Sequence, residues 1–277
     1  MDLGPARASG MSGAALPADV ALAVDGYLAA VDDAIPGLVE TLLLSGSVAL
    51  GDYQPPISDI DLVALCASPP TAEDCARLAV LHRPSRPSVD VLYATRDDLR
   101  RDPTTLSLPG SVDGTFRDEG AFDANPVGWR LLSTRAIAVR GTAPGAADVW
   151  FDAAALRRWN LENLDGYWSG WVESARAEEG TEALVRFEYG FQWLVLGVPR
   201  LHYTIATTDV TSKSGAGRYA LEIVPAELRT ALGAALALRE DRSTTLPAAP
   251  EALWRDAIDL STWCIADARR LAHRAGS

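Results

Sequence analysis

The apolar positions change period several times along the first 150 residues. Residues 17–34 (PADVALAVDGYLAAVDDA) carry them at helical spacing, which predicts an amphipathic helix. Residues 39–45 (VETLLLS) and 58–66 (SDIDLVALC) are short apolar runs bounded by glycine and Pro-Pro, and they predict buried strands. The segment 71–83 (TAEDCARLAVLHR) offers Thr71 as a cap with acids in the first turn, so it predicts a helix. Strands are predicted again at 88–95 (SVDVLYAT) and 135–141 (RAIAVRG). Between them, residues 102–128 are rich in Pro, Gly and Asp and read as a long loop with room for one short helix.

Beyond Asp152 the pattern becomes helical throughout. Four segments, 151–179, 181–207, 225–241 and 250–274, hold a 3.6-residue period, separated by Gly180, Pro225 and the TTLPAAP stretch. They predict a bundle of four or five helices. The expected fold is α+β: a mixed sheet with helices over 17–150, followed by a C-terminal α-helical bundle over 151–277. A polar leader of small residues, 1–16, precedes them, and a cleft between the two parts is the natural ligand site. Seven of the eight tryptophans lie at or beyond residue 150, Trp129 being the exception, and they read mainly as bundle core.

Composition narrows the function classes. The formal net charge of -12 opposes binding to a phosphate backbone and suits a cationic small-molecule partner. No run of eighteen apolar residues occurs, so no membrane partner is expected. The leader lacks a basic segment followed by an apolar core, and three cysteines (Cys66, Cys75, Cys264) without metal-ligand spacing read as reduced thiols. A cytoplasmic location is expected. Of 25 basic residues only Lys213 is a lysine, which singles out a position wanting a compact ammonium, as phosphate contacts do.

The chemistry concentrates in LLLSGSVALGDYQPPISDIDLVAL, residues 42–65. On a strand Asp59 and Asp61 point the same way, while Ile60 and Leu62 enter the core. Two carboxylates so placed repel unless a cation lies between them, and a hard ion such as Mg²⁺ takes such oxygen ligands. Asp90 stands between Val89 and Val91 on the later strand. If the two strands pair in register, three acids converge, enough for two metal ions or for one ion and a general base. Gly46 and Ser47, at the end of the first strand, form a small anion cradle to which an eleven-residue return brings Ser58.

Gly-Ser, a short return, D-x-D on a strand and a later strand acid together resemble the polymerase-β-type nucleotidyltransferase superfamily. Residues 195–229, VLGVPRLHYTIATTDVTSKSGAGRYALEIVPAELR, are similar to the helical part of the aminoglycoside 3''/9 adenylyltransferases, which modify streptomycin and spectinomycin. The resemblance runs from about residue 40 to 240. It implies an ATP-dependent O-adenylyltransferase that releases pyrophosphate and works as a monomer. It gives Ser47 and Ser58 as triphosphate contacts, Asp59, Asp61 and Asp90 as ligands of two catalytic Mg²⁺, and Arg200 and Lys213 as nucleotide contacts from the helical part. Four departures stand out. The third acid is Asp90 where the family has a glutamate base. SLPGSVDGTFRDEG holds no tryptophan, and the acid used for streptomycin falls near Gly190. A nucleotide-contacting tyrosine is replaced near Arg239. These departures favour spectinomycin over streptomycin and leave a non-antibiotic acceptor open, as well as a nucleotide-binding regulatory or antitoxin-like module without turnover. Among the histidines, His202 reads as packed beside Tyr203, and His82 and His273 as helix C-terminal residues facing the dipole. Glu182 and Glu188 read as helix acids facing solvent or the cleft.

Overall fold

The computed structural model describes residues 15–55, 57–121, 123–177, 187–241 and 250–275. Most of the expected leader, and Glu182, lie outside these residues. Leu16, at the leader's end, packs on the core.

Helix α1 (Ala18–Ala34) buries Val20, Val24, Tyr27 and Val31, one face at helical spacing. Strand β1 (Val39–Leu44) follows, then a single helical turn, α2 (Gly46–Ala49), and β2 (Ile60–Cys66). Thr71 caps α3 (Ala72–Leu81) in a reciprocal capping box with Asp74. Helix α3 carries the chain over to β3 (Val89–Thr95), which lies parallel to β2. The predicted loop 102–128 is more ordered than its composition implied. It holds a hairpin of β4 (Gly110–Val112) and β5 (Thr115–Arg117) and the start of α4 (Pro126–Arg135), which leads to β6 (Ile137–Arg140). Asp113 and Gly114 turn the hairpin with φ of 50° and 72°.

The six strands form one sheet in the order β5-β4-β3-β2-β1-β6. Only β2 and β3 run parallel; every other neighbouring pair is antiparallel. Alternation along the strands builds a core on each face. Leu42, Leu44, Ile60 and Leu62 pack with α1 and with Leu78 of α3. Leu43, Val63, Leu65 and Leu92 pack on the other face with Trp129 and Leu132 of α4. Asp61 and Asp90 continue the Val63–Leu92 row one step toward the starts of their strands.

The second half consists of α5 (Ala153–Asn163), a π-helical turn over Leu164–Trp168, α6 (Ser169–Ala177), α7 (Phe187–Thr207), α8 (Lys213–Ile223), α9 (Arg229–Glu240) and α10 (Pro250–Ala275). Helix α7 is central and packs against α5, α8, α9 and α10. Its residues Phe191, Leu194, Val195 and Val198 anchor a core that includes Trp168, Leu232, Leu260 and Cys264. Trp193, Trp254 and Trp263 pack at its margin, as expected for bundle tryptophans, whereas Trp150 joins the sheet core. Among the described residues, no helix is long and apolar enough to cross a membrane.

Two histidines acquire environments that differ from their sequence reading. His82 follows α3, but its Nε2 lies 2.8 Å from the Tyr93 hydroxyl, and burial pushes its pKa down to about 4. It is therefore neutral and offers no charge to the helix dipole. His202 is packed against Tyr219 as well as lying next to Tyr203, and it bridges the Tyr219 hydroxyl at 3.0 Å and Asp267 at 2.9 Å.

Candidate active site

The parallel pairing of β2 with β3 sets Asp61 opposite Asp90 in register. Ile60 and Leu62, on either side of Asp61, are buried as expected, with exposures of 0% and 2%. Burial, followed by repulsion from Asp123, Asp90 and Asp59, raises the Asp61 carboxyl to about 7. Asp59 is raised by burial and by Asp90 and Asp113. Asp90 is raised mainly by burial, although the Ser88 hydroxyl (2.9 Å) and the Asp113 backbone N–H (2.9 Å) both donate to its Oδ1.

Gly46 and Ser47 lie directly against Asp61. Gly46 adopts φ of +50°, and a Cβ added there would fall 1.6 Å from Asp61 Oδ2. The Ser45 N–H donates to the Asp61 carbonyl at 2.9 Å, and the Ser47 N–H donates to its carboxylate. The turn expected to cradle an external anion is thus already hydrogen-bonded to an internal one. Ser47 Oγ is buried without a partner, a hydroxyl with unused donor capacity. The Ser58 hydroxyl accepts the Gln54 N–H at 3.0 Å and closes the return loop.

From the helical half, Lys213 opens α8 with its Nζ 4.8 Å from the centre of the Trp193 ring. Burial, then Arg200 and Arg239, lowers its pKa to about 8, and Asp59 and Asp61 act in the opposite direction. Arg200 donates to the Thr211 carbonyl at 3.4 Å; burial lowers its pKa, and the Asp61 charge opposes that shift. Acids on one side and two buried cations on the other therefore share one field.

Sequence reading passed over three participants, Asp123, Asp113 and Asp52, and noted Arg239 only as a replacement. Asp123, on the loop before α4, is raised to about 6 by burial and by Asp90. Asp113 supplies the hairpin N–H that holds Asp90. Asp52 and Arg239 form a buried ion pair, with Nη2 3.0 Å from Oδ2. Arg239 is thus committed to a tie between the two halves.

The fit to a divalent cation rests on donor chemistry. Asp59, Asp61, Asp90 and Asp123 present only oxygen and destabilise one another's ionised forms, which a hard cation reverses. Among the described residues, no three His, Cys, Asp or Glu side chains already enclose an ion position. The acids share a field and form no closed cage.

The mixed sheet followed by helices is an α+β nucleotidyltransferase-like fold, as the sequence predicted. Among solved structures it is similar to spectinomycin adenyltransferase AAD(9) from Enterococcus faecialis, determined with ATP and spectinomycin. The TM-score is 0.60 at 11% identity, covering 89% of this chain and 98% of that one. No protein-family model and no curated protein sequence matches the chain.

Proposed function

We propose that the protein is an ATP-dependent O-adenylyltransferase that moves AMP onto a hydroxyl of a small, cationic acceptor of the aminocyclitol type and releases pyrophosphate. The observation that carries this reading is the in-register pair Asp61–Asp90, with Asp59 beside it and the lone lysine, Lys213, facing it from the other half. The likeness in fold to an enzyme solved with ATP and spectinomycin supports ATP as donor and makes spectinomycin the first acceptor to test.

In this reading residues 17–150 form the nucleotidyltransferase domain and 151–277 the helical domain. Lys213 and Arg200 hold the triphosphate, and Ser47 Oγ donates to one of its oxygens; Ser58 supports the loop beneath. Asp90 accepts the proton of the attacking hydroxyl, with Ser88 and Asp113 fixing one of its oxygens. Asp59, Asp61 and Asp90 would hold Mg²⁺, which supplies charge neutralisation along the phosphate chain. Asp113 and Asp123 add negative potential that suits a cationic acceptor.

The test is Mg²⁺-dependent pyrophosphate release from ATP with spectinomycin, streptomycin and 2-deoxystreptamine drugs in turn, with Asp61→Asn as the blank. Release with one acceptor identifies the substrate. Tight ATP binding with no release from any acceptor would move the protein to a regulatory role or to an acceptor outside this group.

A further inference from the structure

Asp52 closes the turn that begins at Gly46. Its backbone N–H donates to the Ser47 carbonyl at 2.9 Å, so it is anchored to the turn beneath Asp61. Its carboxylate reaches into the helical half. Oδ1 accepts the Ser214 hydroxyl at 2.6 Å, and Oδ2 accepts the Ser214 N–H at 3.1 Å. Arg239 donates to Oδ2 from Nε at 3.2 Å and Nη2 at 3.0 Å, and from Nη2 to the Asp52 carbonyl at 2.9 Å. Asp52, Ser214 and Arg239 expose only 7%, 3% and 4% of their surface, so water does not compete for these bonds.

Ser214 directly follows Lys213. The N-terminus of α8 is capped once by its own chain, where Ser212 Oγ accepts the Gly215 N–H at 3.0 Å. It is capped a second time by Asp52, a carboxylate from the sheet half placed at the positive end of the helix. A short route thus links Ser47 to Lys213: Ser47 carbonyl, Asp52, Ser214 N–H, and the adjacent ammonium-bearing residue.

We propose that Asp52 is a positioning residue that fastens the Gly46–Asp52 turn to the start of α8 and thereby holds Lys213 against the acidic strands before any nucleotide binds. The two anchors of the triphosphate would then be preset as one unit. Arg239 keeps Asp52 in place, and Asp52 in turn neutralises Arg239, which otherwise adds a third cation to Arg200 and Lys213. The consequence for ATP rests on the adenylyltransfer reading; the consequence for the location of Lys213 does not.

Lys213 is the only lysine in the chain. Acetylation by acetic anhydride, in which the neutral Nζ takes the acetyl group and acetate leaves, followed by peptide mass spectrometry, therefore reports its amine separately from the N-terminus. In Asp52→Asn, Lys213 is expected to label at least fivefold faster than in the wild type. The KM for ATP is expected to rise at least tenfold while the acceptor KM moves less than twofold. Should Asp52→Asn not fold, Ser214→Ala takes its place, since it removes one contact and leaves the Arg239 pair; two- to fivefold faster labelling is expected. Unchanged labelling in the folded variant overturns the proposal, whatever happens to ATP. A wild type that consumes no ATP with any acceptor overturns the adenylyltransfer reading, and the labelling rates then decide the role of Asp52 on their own.

Discussion

Asp61 and Asp90 stand opposite each other on the only parallel strand pair of the sheet. Their closeness follows from that pairing: in a parallel ladder one register fixes every partner, and the buried neighbours Ile60, Leu62 and Val91 prevent a slip of one residue. The carboxylates are thus held together by packing in spite of their charge.

Replacing Asp61 by Asn is therefore expected to remove activity without removing the fold. Pyrophosphate release should fall by at least about 100-fold, in the range seen when a group central to acid–base or metal chemistry is lost. The melting temperature should hold or rise, because a repelling charge has gone. A variant with full turnover would sink the assignment of Asp61.

The raised carboxyl groups also set a pH dependence of stability. The folded protein holds the Asp61 proton up to about 7 and the Asp123 proton up to about 6, above the ordinary value of 3.8. Between those limits the unfolded chain binds fewer protons than the folded one, so stability falls as pH rises from about 4 to 7 and levels off above that range. Thermal melts across this range in chelator should show the decline, and Asp61→Asn should flatten it. Millimolar Mg²⁺ at pH 7.5 should restore several degrees by binding the folded form.

Lys213 gives the opposite limb. Its pKa of about 8 means that the ammonium is lost as pH rises through 8, so ATP affinity should fall there. Lys213→Arg keeps its charge at that pH and should shift the alkaline limb upward, with a KM for ATP about tenfold higher because a fork replaces a point charge. The pH profile of kcat/KM for ATP distinguishes the two.

Gly46→Ala should be severe for a single methyl group. The position has φ of +50°, and the new Cβ would meet Asp61 Oδ2 at 1.6 Å. The backbone strain is on the order of 1–3 kcal/mol. Asp61 must also move, so activity should fall at least about 100-fold while the melting temperature drops by a few degrees. Parallel melts and assays check both.

The main strands and long helices were legible because each carries enough residues to display a period. The D-x-D strand, Asp90 and the glycine turn could be found for the same reason: a charged residue inside an apolar run stands out. The β4–β5 hairpin was hidden in strands of three residues each, although the Asp113-Gly114 turn signal was present. Asn125 before Pro126 likewise marked the start of α4, where the Asn125 side chain accepts the Val127 and Gly128 N–H groups. Asp123 and Asp52 left no such trace. Each is one aspartate in a polar loop, and only the tertiary fold gives it buried partners. Arg239 was noticed as a replacement, but its pairing across 187 residues of chain could not be read from local pattern.

The sheet also has a bearing on self-association. Its two outer strands are β5, three residues long with Thr115 and Arg117 exposed, and β6, four residues long, whose Arg140 is tied to Asp32. A stray strand from another molecule would find only a short stretch of backbone to pair with, flanked by charge. At high concentration the folded chain should resist the edge-to-edge stacking that turns open sheets into aggregates.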